Sequence, residues 1–169
     1  MGLVTPFDAA PEIRRATLGR PTPAVEMRLI SETGGPAAIG EDGEIEIRGA
    51  SVVPGYFGND AANRQSYSEG GWFRTGDLAA VDTDGNFRIT GRVKDVINRG
   101  GIKINPTDIE VLIDDHPSVM QSAIVPMSDS VLGEKGCVFV TLAEGEKVTL
   151  DEVLSYLEER GVAKFKWPE

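Results

Sequence analysis

Cysteine and histidine are nearly missing from this sequence, which contains one of each, Cys137 and His116. A lone cysteine excludes an intramolecular disulfide, and its place in the apolar run "GCVFVTL" reads as buried filler. One histidine and one distant cysteine do not make a protein-only zinc site of the usual kind. Long hydrophobic runs are lacking too, since none approaches the roughly 18 residues that span a bilayer. No signal-like stretch opens the chain. The expectation is a soluble, intracellular protein of cytoplasmic type. Basic residues are in deficit, with 17 Lys and Arg against 27 Asp and Glu, a net charge of −10. That balance argues against a broad nucleic-acid surface or an anionic-membrane surface. Internal repeats and low-complexity tracts are also absent.

What is present has ordinary globular composition, with 169 residues of which 40% are apolar and 26% charged. Such a length suits one domain or two small ones. The acidity is even, because residues 1–91 and 92–169 each carry a net −5. Against it, Arg92, Lys94, Arg99 and Lys103 face only Asp95, so residues 92–103 form an island of +3. An island of that size suits a small anionic ligand better than a polymer, and equally suits a solvated turn.

Texture divides the chain near residues 91–95. Residues 1–24 hold four prolines and little periodicity, and read as an extended lead-in. "VEMRLI" (25–30) and "EIEIRG" (44–49) read as strands, and "TDG" (83–85) as the turn of a hairpin over 78–90. After Arg92, "NPTDIEVLIDDHP" places Asn105 as an N-cap and Pro106 at the first helical position, with Ile109, Leu112 and Ile113 on one face. "QSAIVPM" and "GCVFVTL" read as buried strands. "TLDEVLSYLEERG" reads as a helix with a Thr149/Glu152 capping box, a stripe of Leu150, Val153, Leu154 and Leu157, and Gly161 at its end. The fold class is α+β. A small antiparallel β subdomain, distorted and barrel-like (1–91), precedes a hinge (92–95). A compact α+β domain with a small sheet and two or more helices follows (96–169).

The chemistry concentrates in "GWFRTGDLAAVDTDGNFRITGRVKDVINRGGIKINP" (71–106). Gly76 lets the backbone turn tightly before Asp77, whose carboxylate can accept from two adjacent hydroxyls, as ribose presents them. Arg92 can offer its fork to the same sugar or to a phosphate oxygen. Gly100 and Gly101 clear two side chains where something slim passes, or where the backbone needs positive φ. Singly, Asp77 also fits a turn aspartate and the glycines a plain hairpin turn.

Jointly, five segments resemble the adenylate-forming superfamily of acyl- and aryl-CoA synthetases, adenylation domains and luciferases. They are "GEIEIRG" with "PGYF", "GWFRTGDL", "GRVKDVINRGGIKINPTDIE", "HPSVMQSAIVPMSDSVLGE" and "KFKWPE", in family order. The resemblance implies that Asp77 grips the ribose hydroxyls of ATP and acyl-AMP, that Arg92 reaches the nucleotide, that Lys94 is the hinge residue, and that Gly100 and Gly101 line the pantetheine path. It implies two steps, with Mg-ATP and a carboxylate giving acyl-AMP and pyrophosphate, and then CoA displacing AMP. The small-molecule partners are thus a carboxylic acid (a fatty acid among the candidates), ATP and CoA.

The phosphate loop and the Thr-Glu motif that handles adenine and magnesium would lie upstream, and the adenylation lysine beyond Glu169. The chain is therefore expected to be a fragment, inactive alone, with no catalytic or metal-ligating residue of its own and no tightly bound cofactor. Surfaces bared by truncation would allow homo-oligomers. A carrier-protein-loading adenylation domain and a non-catalytic binding or assembly module are the alternatives. Asn98 stands where many relatives carry lysine, which argues against a lysine-assisted thioester step there. His116, Gly133 and Glu134 are read as structural, Trp72 and Phe73 as packing between sheet layers, and Trp167 as a tail anchor whose absent partner surface would leave an exposed apolar patch.

Overall fold

The computed structural model describes residues 2–169, and contacts divide the chain into two units, Met1–Val93 and Lys94–Glu169. In the first unit the proline-rich opening is more ordered than its composition suggests. It forms β1 (Leu3–Val4), α1 (Pro11–Ala16) and β2 (Arg20–Pro21). The two strands pair antiparallel, and Pro11 sits in the first turn of α1, where its missing N–H costs nothing. Then come β3 (Glu26–Ile30), β4 (Gly43–Arg48), α2 (Asp60–Ser66), β5 (Tyr67–Ser68), β6 (Trp72–Val81) and β7 (Phe87–Arg92).

The five strands β3 to β7 form an antiparallel sheet of order β3-β4-β6-β5, with β7 also on β6. This sheet stays open and does not close into a barrel. Strand alternation sends Met27, Leu29, Ile45 and Ile47 to one face, where they pack with Ala79 and Phe87. The opposite face is charged. Glu46, only 2% exposed, takes the Arg28 fork at 2.6 and 2.8 Å and Arg74 Nε at 3.3 Å. Trp72 belongs to that face, with the guanidiniums of Arg28 and Arg48 4.3 and 4.5 Å from its ring. It therefore does not pack between apolar layers; its neighbour Phe73 instead meets Tyr67 at 5.3 Å.

The second unit begins within a 3-10 turn (Val93–Asp95) and continues through β8 (Ile97–Arg99), β9 (Ile102–Ile104), α3 (Thr107–Asp114), β10 (Val119–Asp129), β11 (Gly133–Leu142) and α4 (Leu150–Glu159). A second 3-10 turn (Lys164–Lys166) precedes the tail. The sheet order is β10-β11-β8-β9, all antiparallel. Its core joins Ile97, Ile104, Val119 and Ile124 to Ile109 and Ile113 of α3 and Val153 and Leu157 of α4.

α4 carries the capping box and the terminal Gly161 at φ 74° that its sequence announced. α3 starts one residue later than expected, with Pro106 at its cap position and Asn105 Oδ1 accepting from Thr107 N. β10 and β11 are buried on one face only. Val125, Met127 and Phe139 stand exposed on the other, and Cys137 is half-buried opposite Val125 rather than in the core. Trp167 is not an orphaned apolar anchor either. It is half-buried, its indole N–H donates to the Val162 carbonyl, and Pro168 beside it is fully buried. No helix among the described residues is long and apolar enough to cross a membrane.

Candidate functional site

The segment Thr75-Gly76-Asp77 forms a bulge in the middle of β6. Glu46 pairs with Arg74 but Glu44 pairs with Leu78, so β6 carries surplus residues between those two positions. Three features hold the bulge open. Thr75 Oγ1 donates to the Ile45 carbonyl at 3.0 Å and accepts from the Asp77 N–H at 3.1 Å. Gly76 adopts φ 75°, a left-handed conformation that residues with a Cβ rarely take. Bulges re-aim a side chain relative to the pleat, and here the side chain re-aimed is Asp77. Thr75 was not singled out from sequence, because its hydroxyl matters only once the strands have paired around the bulge.

Asp77 and Arg92 are register partners across β6 and β7, and Arg92 Nε lies 3.0 Å from Asp77 Oδ1. Their side chains are about half exposed, 40% and 50%. Arg92, expected at the start of the 92–95 hinge, instead ends a strand of the first unit beside Asp77. Among the described residues no hydrogen bond occupies Asp77 Oδ2 or the two Arg92 Nη groups. An acceptor oxygen and two donors thus face solvent together, a set that matches a vicinal diol next to an anionic group.

Lys94 lies in the 3-10 turn that follows Arg92, exposed, at the first position of the second unit. Gly100 and Gly101 form the two-residue turn of the β8–β9 hairpin, at φ 58° and 88°. Two successive positive φ values define the primed hairpin turn, which is why two glycines occupy it. The turn is held from both sides, with Gly100 N donating to the Leu132 carbonyl at 2.7 Å and Gly101 N to Asn98 Oδ1 at 3.1 Å. Asn98 is thus a turn-capping residue. Glu134 accepts from Asn98 N, and Gly133 pairs with Arg99, so both buttress the hairpin. His116 packs edge-on against Tyr156 at 4.7 Å while its Nδ1 accepts from Ser118 N. Among the described residues no group of three His, Cys, Asp or Glu is placed to hold a metal ion.

Comparison with known proteins gives a consistent picture, although no family model matches the chain. It is 40% identical, over 98% of its length, to a 2-hydroxy-7-methoxy-5-methyl-1-naphthoate–CoA ligase of Streptomyces carzinostaticus, and covers 30% of that protein. It is 41% identical over 94% of its length to a salicyl-AMP ligase / salicyl-S-ArCP synthetase of Mycobacterium tuberculosis, covering 28% of it. The fold superposes on ATP-bound MatB from Rhodopseudomonas palustris with a TM-score of 0.91 at 32% identity, covering all of this chain and 33% of that one. The o-succinylbenzoate CoA synthetase MenE of Bacillus subtilis, in complex with its acyl-adenylate OSB-AMP, matches at a TM-score of 0.80 and 29% identity over 95% of this chain and 33% of that one. The chain thus spans about 30% of the length of the curated relatives it matches. Its homologues over nearly its whole length are adenylate-forming ligases, and the chain corresponds to their C-terminal part.

Proposed function

We propose that this chain carries the ribose-binding edge, the interdomain joint and the thiol-path turn of an ATP-dependent ligase that activates an aromatic carboxylic acid. The observation that carries this reading is the bulge-borne Asp77 with Arg92 as its cross-strand partner. Asp77 Oδ2 accepts from the ribose hydroxyls, while Arg92 Nε fixes the other carboxylate oxygen and its Nη groups face the nucleotide. Lys94 is the residue about which the second unit turns between half-reactions, and Gly100–Gly101 is the place where the acceptor thiol passes. ATP, magnesium and CoA serve the whole enzyme. Magnesium is assigned to no residue of this chain, and ATP would supply the adenylyl group that activates the carboxylate, with pyrophosphate as the leaving group. The naphthoate and salicyl ligases among the relatives support an aromatic acid, and a medium-chain fatty-acid–CoA ligase also among them is the reason the panel includes aliphatic acids.

The test uses a longer reading frame that contains these 169 residues, assayed for acid-dependent ATP–pyrophosphate exchange over a panel of aromatic and aliphatic acids. Asp77→Ala removes two charge-assisted hydrogen bonds and is expected to lower exchange about a hundredfold or more. Unchanged exchange sinks the assignment. The salicyl-S-ArCP synthetase among the relatives also supports a carrier-protein acceptor, so acyl transfer is followed to CoA and to a phosphopantetheinyl carrier in parallel. By itself, the chain holds too few nucleotide donors for tight binding. Calorimetry with AMP is expected to give a Kd no tighter than roughly millimolar, and micromolar binding would refute that.

A further inference from the structure

We infer that Glu169 is a positioning residue for the Gly100–Gly101 turn, acting through Arg99, Lys135 and Asp129. The inference deepens the reading of that turn as the acceptor's path, and it rests on a closed ring of polar contacts. Gly100 N donates to the Leu132 carbonyl at 2.7 Å. Leu132 N and Val131 N donate to Asp129 Oδ1 at 2.8 and 2.9 Å. The other carboxylate oxygen of Asp129 lies 3.7 Å from Lys135 Nζ. Lys135 Nζ reaches Glu169 Oε2 at 2.6 Å, and Glu169 Oε1 accepts from Arg99 Nη2 at 3.1 Å. Arg99, whose Nη1 also donates to the Trp167 carbonyl at 3.1 Å, precedes Gly100 and closes the ring.

Two further contacts dock the tail backbone on β11. Glu169 N donates to the Gly136 carbonyl at 2.7 Å, and Val138 N to the Glu169 carbonyl at 3.3 Å. The bare Cα of Gly136 admits this close docking. A Cβ there would lie 2.9 Å from Ile124 Cγ2 and 3.8 Å from Pro168 Cα.

The ring matters because the hairpin tip has little else to fix it. Among the described residues no atom lies within 4 Å of where a Cβ on Gly101 would stand, and only Leu132 Cδ2, at 3.5 Å, does so for Gly100. A two-glycine turn samples more backbone conformations than any other pair. Its shape is therefore set by its hydrogen bonds to Leu132 and Asn98. The loop that presents the Leu132 carbonyl is in turn held by Asp129, which accepts from the Leu132 and Val131 N–H groups and faces Lys135. Lys135 has its ammonium held above its usual range chiefly by Glu169, and Asp129 has its carboxyl held below its usual range chiefly by the Leu132 and Val131 amides. The two cations on Glu169 are largely shielded, with side-chain exposures of 20% for Arg99 and 23% for Lys135. Glu169 itself is 43% exposed, so salt reaches both pairs from its side.

Residue-resolved amide hydrogen exchange on the 169-residue chain tests this, with the α4 amides as an internal standard. Glu169→Gln keeps the shape and removes the charge. It is expected to speed exchange at Gly100, Gly101, Val131 and Leu132 about tenfold while α4 stays unchanged. If the second unit unfolds as a whole in that variant, the unmodified chain in 1 M salt replaces it, and the same four amides are expected to open first as the ion pairs are screened. Exchange at Gly100 that stays at its starting rate in both arms overturns the inference. Pantetheine added to the unmodified chain addresses the path separately. Shifts of the Gly100 and Gly101 resonances that weaken in Glu169→Gln support positioning of the acceptor. Shifts of equal size in the two proteins overturn it. No shift in either removes the thiol-path reading and leaves the exchange result to judge the ring.

Discussion

At the scale of single residues, Glu46 is the costliest side chain in the first unit to place. It is 2% exposed, and two guanidiniums converge on it, each able to reach water because the side chains of Arg28 and Arg74 are 40% and 47% exposed. Removing a buried carboxylate leaves its cations unpaired, which costs about 3–5 kcal/mol when all partners are dry. Hydration of these half-exposed arginines lowers that, so Glu46→Ala is expected to destabilise the first unit by about 2 kcal/mol. Glu46→Gln, which keeps an acceptor for Arg28, should cost about half as much. Urea unfolding followed by Trp72 fluorescence measures both, and a midpoint unchanged by Glu46→Ala contradicts the account. Residue-level chemistry was unevenly legible. Asp77 and Arg92 stood out by type and spacing, but their direct pairing needed the β6–β7 register, and Thr75 needed the bulge. Trp72 was misplaced although the signal existed. Adjacent strand residues point to opposite faces, so Trp72 and Phe73 could not share one apolar layer.

At the scale of elements, two devices stabilise the second unit. The first is the capping box of α4. The Glu152 carboxylate accepts from the Thr149 N–H and hydroxyl, and these bonds, the backbone one foremost, hold its carboxyl below its ordinary range. A depressed carboxyl stabilises the fold above its unfolded-state value and loses that contribution as pH falls through the folded one. The start of α4 should therefore loosen in acid. Thr149→Ala should cost about 1 kcal/mol at neutral pH and flatten the acid dependence, read as the pH midpoint of helical circular dichroism. The second device covers β10, which is an edge strand. Its Ile124 N–H donates to Glu110 Oε1 at 2.7 Å, and its Ser122 N–H to Asp114 Oδ1 at 2.6 Å. Two carboxylates one helical turn apart on α3 thus occupy donors that would otherwise invite another strand. Glu110→Ala combined with Asp114→Ala is expected to promote concentration-dependent association, visible by light scattering. A variant that stays monomeric removes the claim.

The same scale explains what sequence reading found and lost. α4 announces itself through its cap, stripe and terminal glycine. α2 has no buried residue and so no apolar stripe to detect, and only the Asn59 cap on Ala62 N marks its start. β10 and β11 looked wholly buried because apolar residues fill both faces, yet the helices supply core for one face only.

At the scale of the whole molecule, the question is what the joint between the units permits. The division falls at Val93 and Lys94, inside a short 3-10 turn, immediately after the strand that delivers Arg92. Asp77 and Arg92 belong to the first unit and therefore remain together whatever Lys94 does, and under the proposed reading a rotation at Lys94 would redirect Gly100–Gly101 while leaving that pair in place. Proline fixes φ near −65°, within the range of a 3-10 turn, and forbids large excursions from it. It also pushes the preceding residue, Val93, toward extended backbone, so Lys94→Ala is the needed control for loss of the side chain alone. In a longer ligase containing this chain, Lys94→Pro is expected to leave ATP–pyrophosphate exchange within about threefold of the parent while slowing thioester formation about a hundredfold or more. Lys94→Ala should leave both half-reactions within about tenfold of the parent, because the backbone still turns freely. Equal slowing of the two half-reactions by Lys94→Pro would mean that Lys94 supports the fold and not a rotation. Equal survival of both would place the pivot elsewhere.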